Sequence, residues 1–175
     1  MGNATPASKH YTEDIQTRQY RAPEAIIGRT DWGFTADVWS VACLTFELLT
    51  AEYLFDPQGQ GELFSRDVDH YAQIIELLGD VPTSLKMGGR YSTDIFDSDG
   101  ELRGIKKQSL KIWPLERVMT EKYLWSAQDA REFCRFLIPM LRVDWRERST
   151  AGEATKDEWL EVNPGDWGDE LEGKA

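Results

Sequence analysis

The sequence has few of the residues that build metal sites and disulfides. It contains two cysteines, Cys43 and Cys134, and two histidines, His10 and His70. A structural zinc site needs about four such ligands at short spacings, and no such cluster occurs. Both cysteines lie in apolar helical patterns, which favours buried free thiols over a disulfide or a metal site. We therefore predict that the chain has no metal ligands.

Long apolar runs and net positive charge are also missing. No stretch of about 18 apolar residues occurs, and the opening residues MGNATPASKH lack the apolar core of a signal peptide. We therefore expect an intracellular location, in the cytoplasm or the nucleus, and no membrane partner. The formal net charge is −11, whereas nucleic-acid binding needs clustered lysine and arginine. This charge argues against direct nucleic-acid binding and favours a basic partner.

The residues that are present predict one mainly α-helical domain. A run from Ala36 to Leu49 is apolar nearly all round, which is typical of a helix buried on every side. A second helix is predicted from Asp67 to Leu78, with an apolar stripe on one face and Gly79 as its cap. The first of these helices is expected to form the centre of the core.

Further local signals lie in the second half of the chain. Asp99 and Gly100 stand between two short alternating runs, which predicts a small β-hairpin. Ser126 with Asp129 resembles a capping box before a helix that Pro139 should kink or end. Thr150 with Glu153 repeats this device, and we predict a last helix over 151–160, with Trp159 and Leu160 packed back on the core.

Three motifs, in this order, resemble the carboxy-terminal lobe of eukaryotic protein kinases. They are TRQYRAPE (17–24), TADVWSVACLTFELLT (35–50) and DWRERSTAGEATKDEWL (144–160). Within that family, YLFDP, DHYAQIIELLG and WPLERVMTEKYLWS are similar to the SR-protein kinases, which phosphorylate serines in arginine/serine-rich splicing factors. The resemblance implies the large lobe of a kinase without its amino-terminal β lobe and catalytic loop, with the small hairpin in an insert.

The resemblance also divides the chain into three parts. Residues 1–16 match a truncated remnant of the activation segment, 17–162 match the kinase lobe, and 163–175 form an acidic end that we expect to be flexible. The activation segment is the part of a kinase in which the bound substrate is held. Only sixteen residues precede Thr17 in this sequence.

The family pattern assigns supporting roles to residues around the substrate loop. Arg21, Pro23 and Glu24 belong to the RAPE element, and Glu24 is expected to form a buried two-point ion pair with Arg148. Thr17 matches the threonine whose hydroxyl supports the catalytic aspartate of the family. An alternative interpretation of Glu24 is a helix cap at the surface.

Asp37 matches the family's aspartate at the start of the buried helix, which accepts backbone N–H groups from the catalytic loop. The alternative is a first-turn acid that interacts only with the helix dipole. Without the catalytic loop, this second role is the one that the present residues can supply.

The residues that carry phosphoryl transfer in kinases are not found. That chemistry needs a glycine-rich loop, a strand lysine, a catalytic aspartate with its asparagine, and a metal-binding aspartate before a glycine. The sequence has no G-x-G-x-x-G, V-A-I-K or H-R-D motif. Gly2 matches the glycine of the metal-binding motif, but the aspartate that precedes this glycine in the family is absent. We predict no catalytic residue and no ATP or magnesium site in this chain, although the family uses both.

The resemblance also implies an acidic groove that docks basic peptides. Its acids match Glu52, Asp69 and Glu76, and its lysine matches Lys122. Asp69 and Glu76 are two helical turns apart and project from one face, where they are placed to bracket successive arginines of a peptide. The alternative is a solvated helix face with no partner.

Three interpretations of function remain open from the sequence. The chain is the carboxy-terminal part of a serine/threonine kinase, a docking module for arginine-rich peptides without chemistry, or a truncated gene product. The expected partners are arginine/serine-rich proteins. Because the family's remaining parts would cover apolar surface near Thr17 and Asp37, self-association through that surface is a further expectation.

Overall fold

The structure is a computed structural model. It describes Pro6, Lys9, Tyr11, Thr12 and residues 14–161. The predicted acidic end at 163–175, Gly2 and most of the predicted remnant 1–16 lie outside the described residues.

The described chain is mainly helical, as predicted. Its α-helices are α1 (Pro23–Ile26), α2 (Thr35–Thr50), α3 (Arg66–Leu78), α4 (Thr83–Lys86), α5 (Ser92–Ile95), α6 (Leu115–Glu121), α7 (Ala127–Met140) and α8 (Ala151–Ala154). Short 3₁₀ turns occur at Arg18–Tyr20, Lys107–Ser109 and Glu158–Leu160. Over these residues no strand forms, and none of the helices has the length and apolarity to span a bilayer.

Helices α2, α3 and α7 supply much of the core. Helix α7 packs against α2 and α6, and α2 also packs against the 3₁₀ turn at Arg18–Tyr20. The largest side chains with almost no exposed surface are Trp39, Tyr71, Phe55, Phe96, Phe133, Ile27, Ile74, Ile95, Leu115, Met119, Leu137 and Leu141. Burial of this apolar area is the main source of stability for the fold.

Helix α2 is central, but the prediction that it is buried on every side is wrong. One face, which includes Trp39 and Phe46, is fully buried. The opposite face carries Val41, Leu44 and Leu48, which are 50%, 44% and 77% exposed. The sequence pattern correctly marks both faces as apolar, but no element in the described part of the chain covers the second one.

Helix α3 has the predicted ends to within one residue. The Ser65 hydroxyl accepts a hydrogen bond from the Val68 N–H (3.3 Å), which caps the first turn. Gly79 ends the helix with φ of 90°, a conformation that glycine adopts without strain. His70 and Tyr71 lie on the buried face of this amphipathic helix.

The predicted hairpin is not confirmed. Residues Ser92–Ile95 form α5, and only a single antiparallel bridge joins Phe96 to Leu102. The turn lies where expected, because the Asp97 carboxylate accepts the N–H groups of residues 99 and 101, each at 2.9 Å. Strands do not extend from it, since the residues on its amino-terminal side take the helical conformation instead.

The amino-terminal caps of α7 and α8 are confirmed. Ser126 accepts the Asp129 N–H (3.1 Å) at the start of α7, and Pro139 lies inside the last turn of that helix. At α8, Thr150 and Glu153 form the complete reciprocal capping box.

The predicted helix over 151–160 is wrong in its extent. Helix α8 ends at Ala154, and a separate 3₁₀ turn follows because the Asp157 carboxylate accepts the Trp159 N–H (2.9 Å) and starts a new turn. Trp159 does pack back on the core, and its ring centroid lies 4.7 Å from that of Phe136 in a stacked arrangement. Leu160 remains 43% exposed.

Candidate functional site

A buried ion pair joins the RAPE element to the loop between α7 and α8. Pro23 occupies the first turn of α1, where its missing N–H costs nothing, and it is followed by Glu24. Arg148 donates through Nη1 to Glu24 Oε1 (2.7 Å) and through Nη2 to Oε2 (2.8 Å). Both side chains have 0% exposure. The two-point pair predicted from the sequence is therefore present, and the surface-cap alternative for Glu24 is wrong.

Arg148 makes two further hydrogen bonds, both to backbone carbonyls. Nε donates to the Arg142 carbonyl (2.8 Å) and Nη1 donates to the Thr35 carbonyl at the start of α2 (3.0 Å). The guanidinium lies 5.1 Å from the Trp39 ring centroid. One buried cation thus connects α1, α2 and the loop after α7, and these hydrogen bonds offset part of the cost of burying its charge.

Gln16 fixes the segment before the RAPE element onto α2. Its amide nitrogen donates to the Ala36 carbonyl and to Ser40 Oγ, each at 2.7 Å, and its side-chain oxygen accepts the Ala22 N–H (2.9 Å). Gln16 has φ of 66°, outside the region that most residues adopt. No sequence signal identified this residue, because its partners on α2 lie twenty or more positions away.

The predicted supporting residues Arg21 and Thr17 lie beside Gln16. Arg21 donates to the Gln16 carbonyl (2.9 Å) and pairs with the exposed carboxylate of Asp14 (2.9 Å). Thr17 is exposed at the start of the 3₁₀ turn, where its carbonyl accepts the Tyr20 N–H (3.0 Å). The structure thus places both residues in one ordered loop, and their roles toward a substrate stay predictions.

The same loop is tied to α3. Arg18 forms an ion pair with Asp67, and the buried Tyr71 hydroxyl donates to the Pro23 carbonyl (3.1 Å). A further contact joins the Tyr20 hydroxyl to Glu47 on α2 (2.5 Å), and this hydrogen bond to a carboxylate raises the pKa of Tyr20 to about 12. The loop over 16–24 is therefore held by contacts with both α2 and α3.

Asp37 lies exposed on the first turn of α2. Its position at a helix start matches the dipole interpretation, in which a carboxylate favours the positive end of the helix. The family role, which requires a catalytic loop, stays a prediction.

The four predicted docking residues fall into two groups. Glu52 follows α2 and accepts a hydrogen bond from Lys122 Nζ (2.5 Å) and one from the Tyr123 hydroxyl (3.2 Å). The ammonium of Lys122 lowers the pKa of Glu52, and Glu52 in turn raises the pKa of Lys122. Asp69 and Glu76 form the second group, on α3.

Asp69 and Glu76 already have partners within the chain. Asp69 Oδ2 accepts the backbone N–H of Gln58 (2.7 Å) and the amide of Gln73 (2.9 Å). Glu76 Oε1 accepts the backbone N–H of Lys111 (2.7 Å). Each carboxylate therefore holds a neighbouring loop against α3, which the sequence pattern did not indicate. Both side chains are half-buried and keep unused acceptor positions.

Metal and thiol chemistry have no support in the described residues. No three His, Cys, Asp or Glu side chains there are grouped so as to hold a metal ion. Cys43 is a buried free thiol and Cys134 a half-buried one, and burial raises the pKa of Cys134 to about 11 and that of Cys43 further. Both thiols are therefore protonated and unreactive at neutral pH.

Comparisons with known proteins agree with three features described above: the buried Glu24–Arg148 pair, the loop over 16–24 and the central helix α2. Residues 1–160 match the protein kinase domain family. The chain belongs to the protein kinase family.

The similarity to the SR-protein kinases is also confirmed. The chain is 50% identical over 160 residues to the serine/threonine-protein kinase SKY1 of Saccharomyces cerevisiae, an alignment that covers 91% of this chain and 21% of that protein. It is 49% identical over 160 residues to human SRSF protein kinase 3 and to protein kinase dsk1 of Schizosaccharomyces pombe, with 91% of this chain and 28% and 29% of those proteins covered. The chain thus spans less than a third of the length of these relatives.

Proposed function

We propose that these residues form the carboxy-terminal lobe of a serine/threonine kinase that phosphorylates serines in arginine/serine-rich proteins when the lobe is part of a complete kinase. The observation that carries the proposal is the buried Glu24–Arg148 pair, which fixes the RAPE element in a chain half identical to SR-protein kinases. In this function the loop over 16–24 supports the substrate, and the ATP and magnesium used by the family are bound elsewhere. We place this activity in the cytoplasm or the nucleus.

The proposal includes docking of arginine-rich peptides on the acidic side of α3. Asp69 and Glu76 lie on one helix, and each carboxylate uses one oxygen for its loop. A guanidinium has five N–H donors and pairs with the remaining acceptor positions without breaking the loop contacts. The net charge of −11 favours the approach of such a peptide.

Phosphate transfer tests the first part of the proposal. The purified 175-residue chain, mixed with Mg-ATP and an arginine/serine peptide, is expected to incorporate no phosphate, because the motifs that position ATP and the metal are absent from the sequence. Human SRSF protein kinase 3 under the same conditions serves as the positive control. Activity that follows the chain through successive purification steps would contradict the prediction.

Peptide binding tests the docking part. Fluorescence anisotropy with a labelled peptide of repeated arginines is expected to detect weak binding that falls as salt rises, since the contacts are ionic and partly exposed. The same peptide with lysine at each arginine is the control and should bind more weakly, because an ammonium cannot make the planar two-point contact. Equal binding of the two peptides would reduce the site to a nonspecific acidic surface.

A second candidate function is self-association through the uncovered face of α2. Val41, Leu44 and Leu48 are spaced at helical intervals and all are at least 44% exposed, which is unusual for neighbouring large apolar residues. Sedimentation velocity should detect dimers, and Leu44→Lys with Leu48→Lys should abolish them. Leu63→Lys, at another exposed apolar site, is the control. A monomer at all concentrations would exclude this function.

A further inference from the structure

A partly enclosed pocket lies between the end of α3 and the segment 100–112. Its volume is about 290 Å³. The walls are mainly apolar and are formed by Ile75, Leu102, Ile105, Leu110 and Ile112. Ile112 is 52% exposed at this pocket, so it presents apolar surface that the chain itself leaves uncovered. None of the acidic docking positions described above lines the pocket, although one of them lies next to it.

Charged groups line the polar side of this pocket. Lys86 is buried and its Nζ donates to Asp80 Oδ1 (2.8 Å) and to the Gly100 carbonyl (3.0 Å). Lys107 donates to Asp80 Oδ2 (3.1 Å) and to Glu101 Oε1 (3.2 Å). These contacts hold the pKa of Asp80 at about 2, with the Lys86 hydrogen bond as the largest cause. The four charges balance, so the polar side favours neither a free cation nor a free anion.

Glu76 connects the pocket to the candidate docking positions. Its carboxylate accepts the Lys111 N–H (2.7 Å) and its carbonyl accepts the Trp113 N–H (2.8 Å). The segment between these bonds contains Ile112, and Ile75 precedes Glu76 in α3. A peptide arginine at Glu76 therefore lies beside the apolar wall, within reach of the next few residues of the same peptide.

We propose that this pocket receives one aliphatic or aromatic side chain of the basic peptide that pairs with Glu76. The inference rests on the proposed docking function and adds a sequence requirement to it, an apolar residue near the arginines. Its partner is thus a basic peptide with one apolar anchor.

The size and lining of the pocket select this occupant. A volume of about 290 Å³ lies at the lower end of the range for small-molecule sites, about 300 to 1,000 Å³, and is large enough for one aliphatic or aromatic side chain. The polar side carries no net charge and therefore does not favour a charged group. The apolar wall favours an apolar side chain, because contact between them removes apolar surface from water. The surrounding acidic surface selects the basic peptide that carries the anchor.

Two matched peptides test the proposal. Each carries the same arginines, and a single position is leucine in one and serine in the other, with the position moved through a short series of registers. Anisotropy with the 175-residue chain is expected to show tighter binding of the best leucine peptide by on the order of tenfold. Equal affinities in every register would overturn the pocket inference and leave arginine docking intact.

Variants of the chain separate the possible sources of this preference. Ile112→Ser is expected to remove the leucine preference and to leave binding of the serine peptide unchanged, because Ile112 is exposed and its loss should not disturb folding. Leu124→Ser, at an 82% exposed position outside the pocket lining, is the control and should keep the preference. A preference that survives Ile112→Ser would overturn the proposal.

Failure of docking itself gives a different result. If leucine peptides bind equally well after Glu76 loses its charge, the proposed docking function is rejected. The proposal that the arginine and the apolar anchor bind side by side is then rejected as well. If neither peptide binds and Ile112→Ser instead abolishes a dimer, the pocket accepts a second copy of this chain, and the proposal is overturned.

Discussion

Two ion pairs, the predicted Glu24–Arg148 pair and the Lys122–Glu52 pair found in the structure, have opposite environments. Glu24 and Arg148 are both at 0% side-chain exposure, whereas Lys122 and Glu52 are at 42% and 54%. Arg148 has backbone partners in two further segments. The Lys122–Glu52 pair lies at the surface, with Tyr123 as its additional partner.

This difference indicates that the buried pair supports the fold, whereas the exposed pair is available for binding. A buried pair cannot exchange partners with solvent or a peptide, and removal of one member leaves an uncompensated charge in the core. An exposed pair contributes little to stability and its members remain available to another charge. The following predictions test this contrast, beginning with the largest effect.

Breaking the buried pair should destabilise the fold most. Glu24→Ala leaves the Arg148 guanidinium buried without its carboxylate, and the free energy of unfolding is expected to fall by about 3 to 5 kcal/mol. Urea denaturation followed by tryptophan fluorescence measures the change. A loss of less than about 1 kcal/mol would show that the pair contributes like a surface pair.

A double replacement sharpens this result. Glu24→Leu with Arg148→Met removes both charges and keeps much of the side-chain volume, so its loss of unfolding free energy should be smaller than the sum of the two single losses. Additive losses would indicate that each residue acts through its other contacts, such as those of Arg148 with backbone carbonyls.

A buried histidine gives the next largest effect, and it depends on pH. His70 has 0% exposure and neither ring nitrogen has a hydrogen-bond partner among the described residues. Burial, with the charges of Arg18 and Arg21, lowers the pKa of His70 to about 3, whereas an unfolded histidine titrates near 6.5. The unfolded state therefore takes up a proton first, and the stability that His70 contributes is lost as pH falls below 6.5.

The expected loss of unfolding free energy from this residue between pH 7 and pH 5 is about 2 kcal/mol. His70→Leu should remove that part of the pH dependence, as measured by urea denaturation at the two pH values. Asp80 does not contribute in this window, because its pKa of about 2 gives a loss only at lower pH. The same pH dependence in both proteins would assign the acid sensitivity to other groups.

Loss of the α3 charges should affect peptide binding and leave folding intact. Asp69→Asn with Glu76→Gln removes both charges but keeps oxygen acceptors for the loop N–H groups of Gln58 and Lys111. Binding of an arginine peptide is expected to weaken by on the order of 1 to 3 kcal/mol, the range for hydrogen bonds to charged groups. Anisotropy titrations at low salt measure the loss.

The control for this variant removes equal charge elsewhere. Asp94→Asn with Glu116→Gln changes two exposed acids on α5 and α6, and we expect little change in binding. Equal losses from the two double variants would show that the peptide responds to net charge alone. The acids Asp169, Glu170 and Glu172, predicted to lie in a flexible end, provide a second control of the same kind.

Local sequence signals predicted much of the helical structure and its caps. Ser65 was not anticipated as the α3 cap, but the helix itself, Gly79 and the Thr150–Glu153 box follow from residues within a few positions of one another. The Glu24–Arg148 pair was predictable only from the family pattern, since 124 positions separate its members.

The failures have physical causes of the same kind. Whether the second face of α2 is buried depends on what packs there, which a periodic pattern in one segment does not specify. The helix over 151–160 was interrupted because Asp157 offered an alternative cap to Trp159. The internal partners of Asp69 and Glu76 depend on loops that come 11 and 35 positions from them in sequence.

The exposed pair should give the smallest effect. Lys122→Met removes the cation from Glu52, and we expect no measurable change in the urea midpoint, because exposed pairs contribute little and solvent replaces the lost contact. Arginine peptides should bind roughly two- to fivefold more tightly, since the Glu52 carboxylate no longer has a competing partner within the chain.

Lys106→Met is the matched control for this prediction, because it removes the same charge from an exposed position. If both variants tighten binding equally, the gain comes from net charge, and Glu52 is not part of the peptide site. If Lys122→Met weakens binding, Lys122 itself contacts the peptide, and its pair with Glu52 positions the lysine rather than competing for the acid. Only a gain specific to Lys122→Met would establish the exposed pair as a replaceable contact, in contrast to the fixed pair of Glu24 and Arg148.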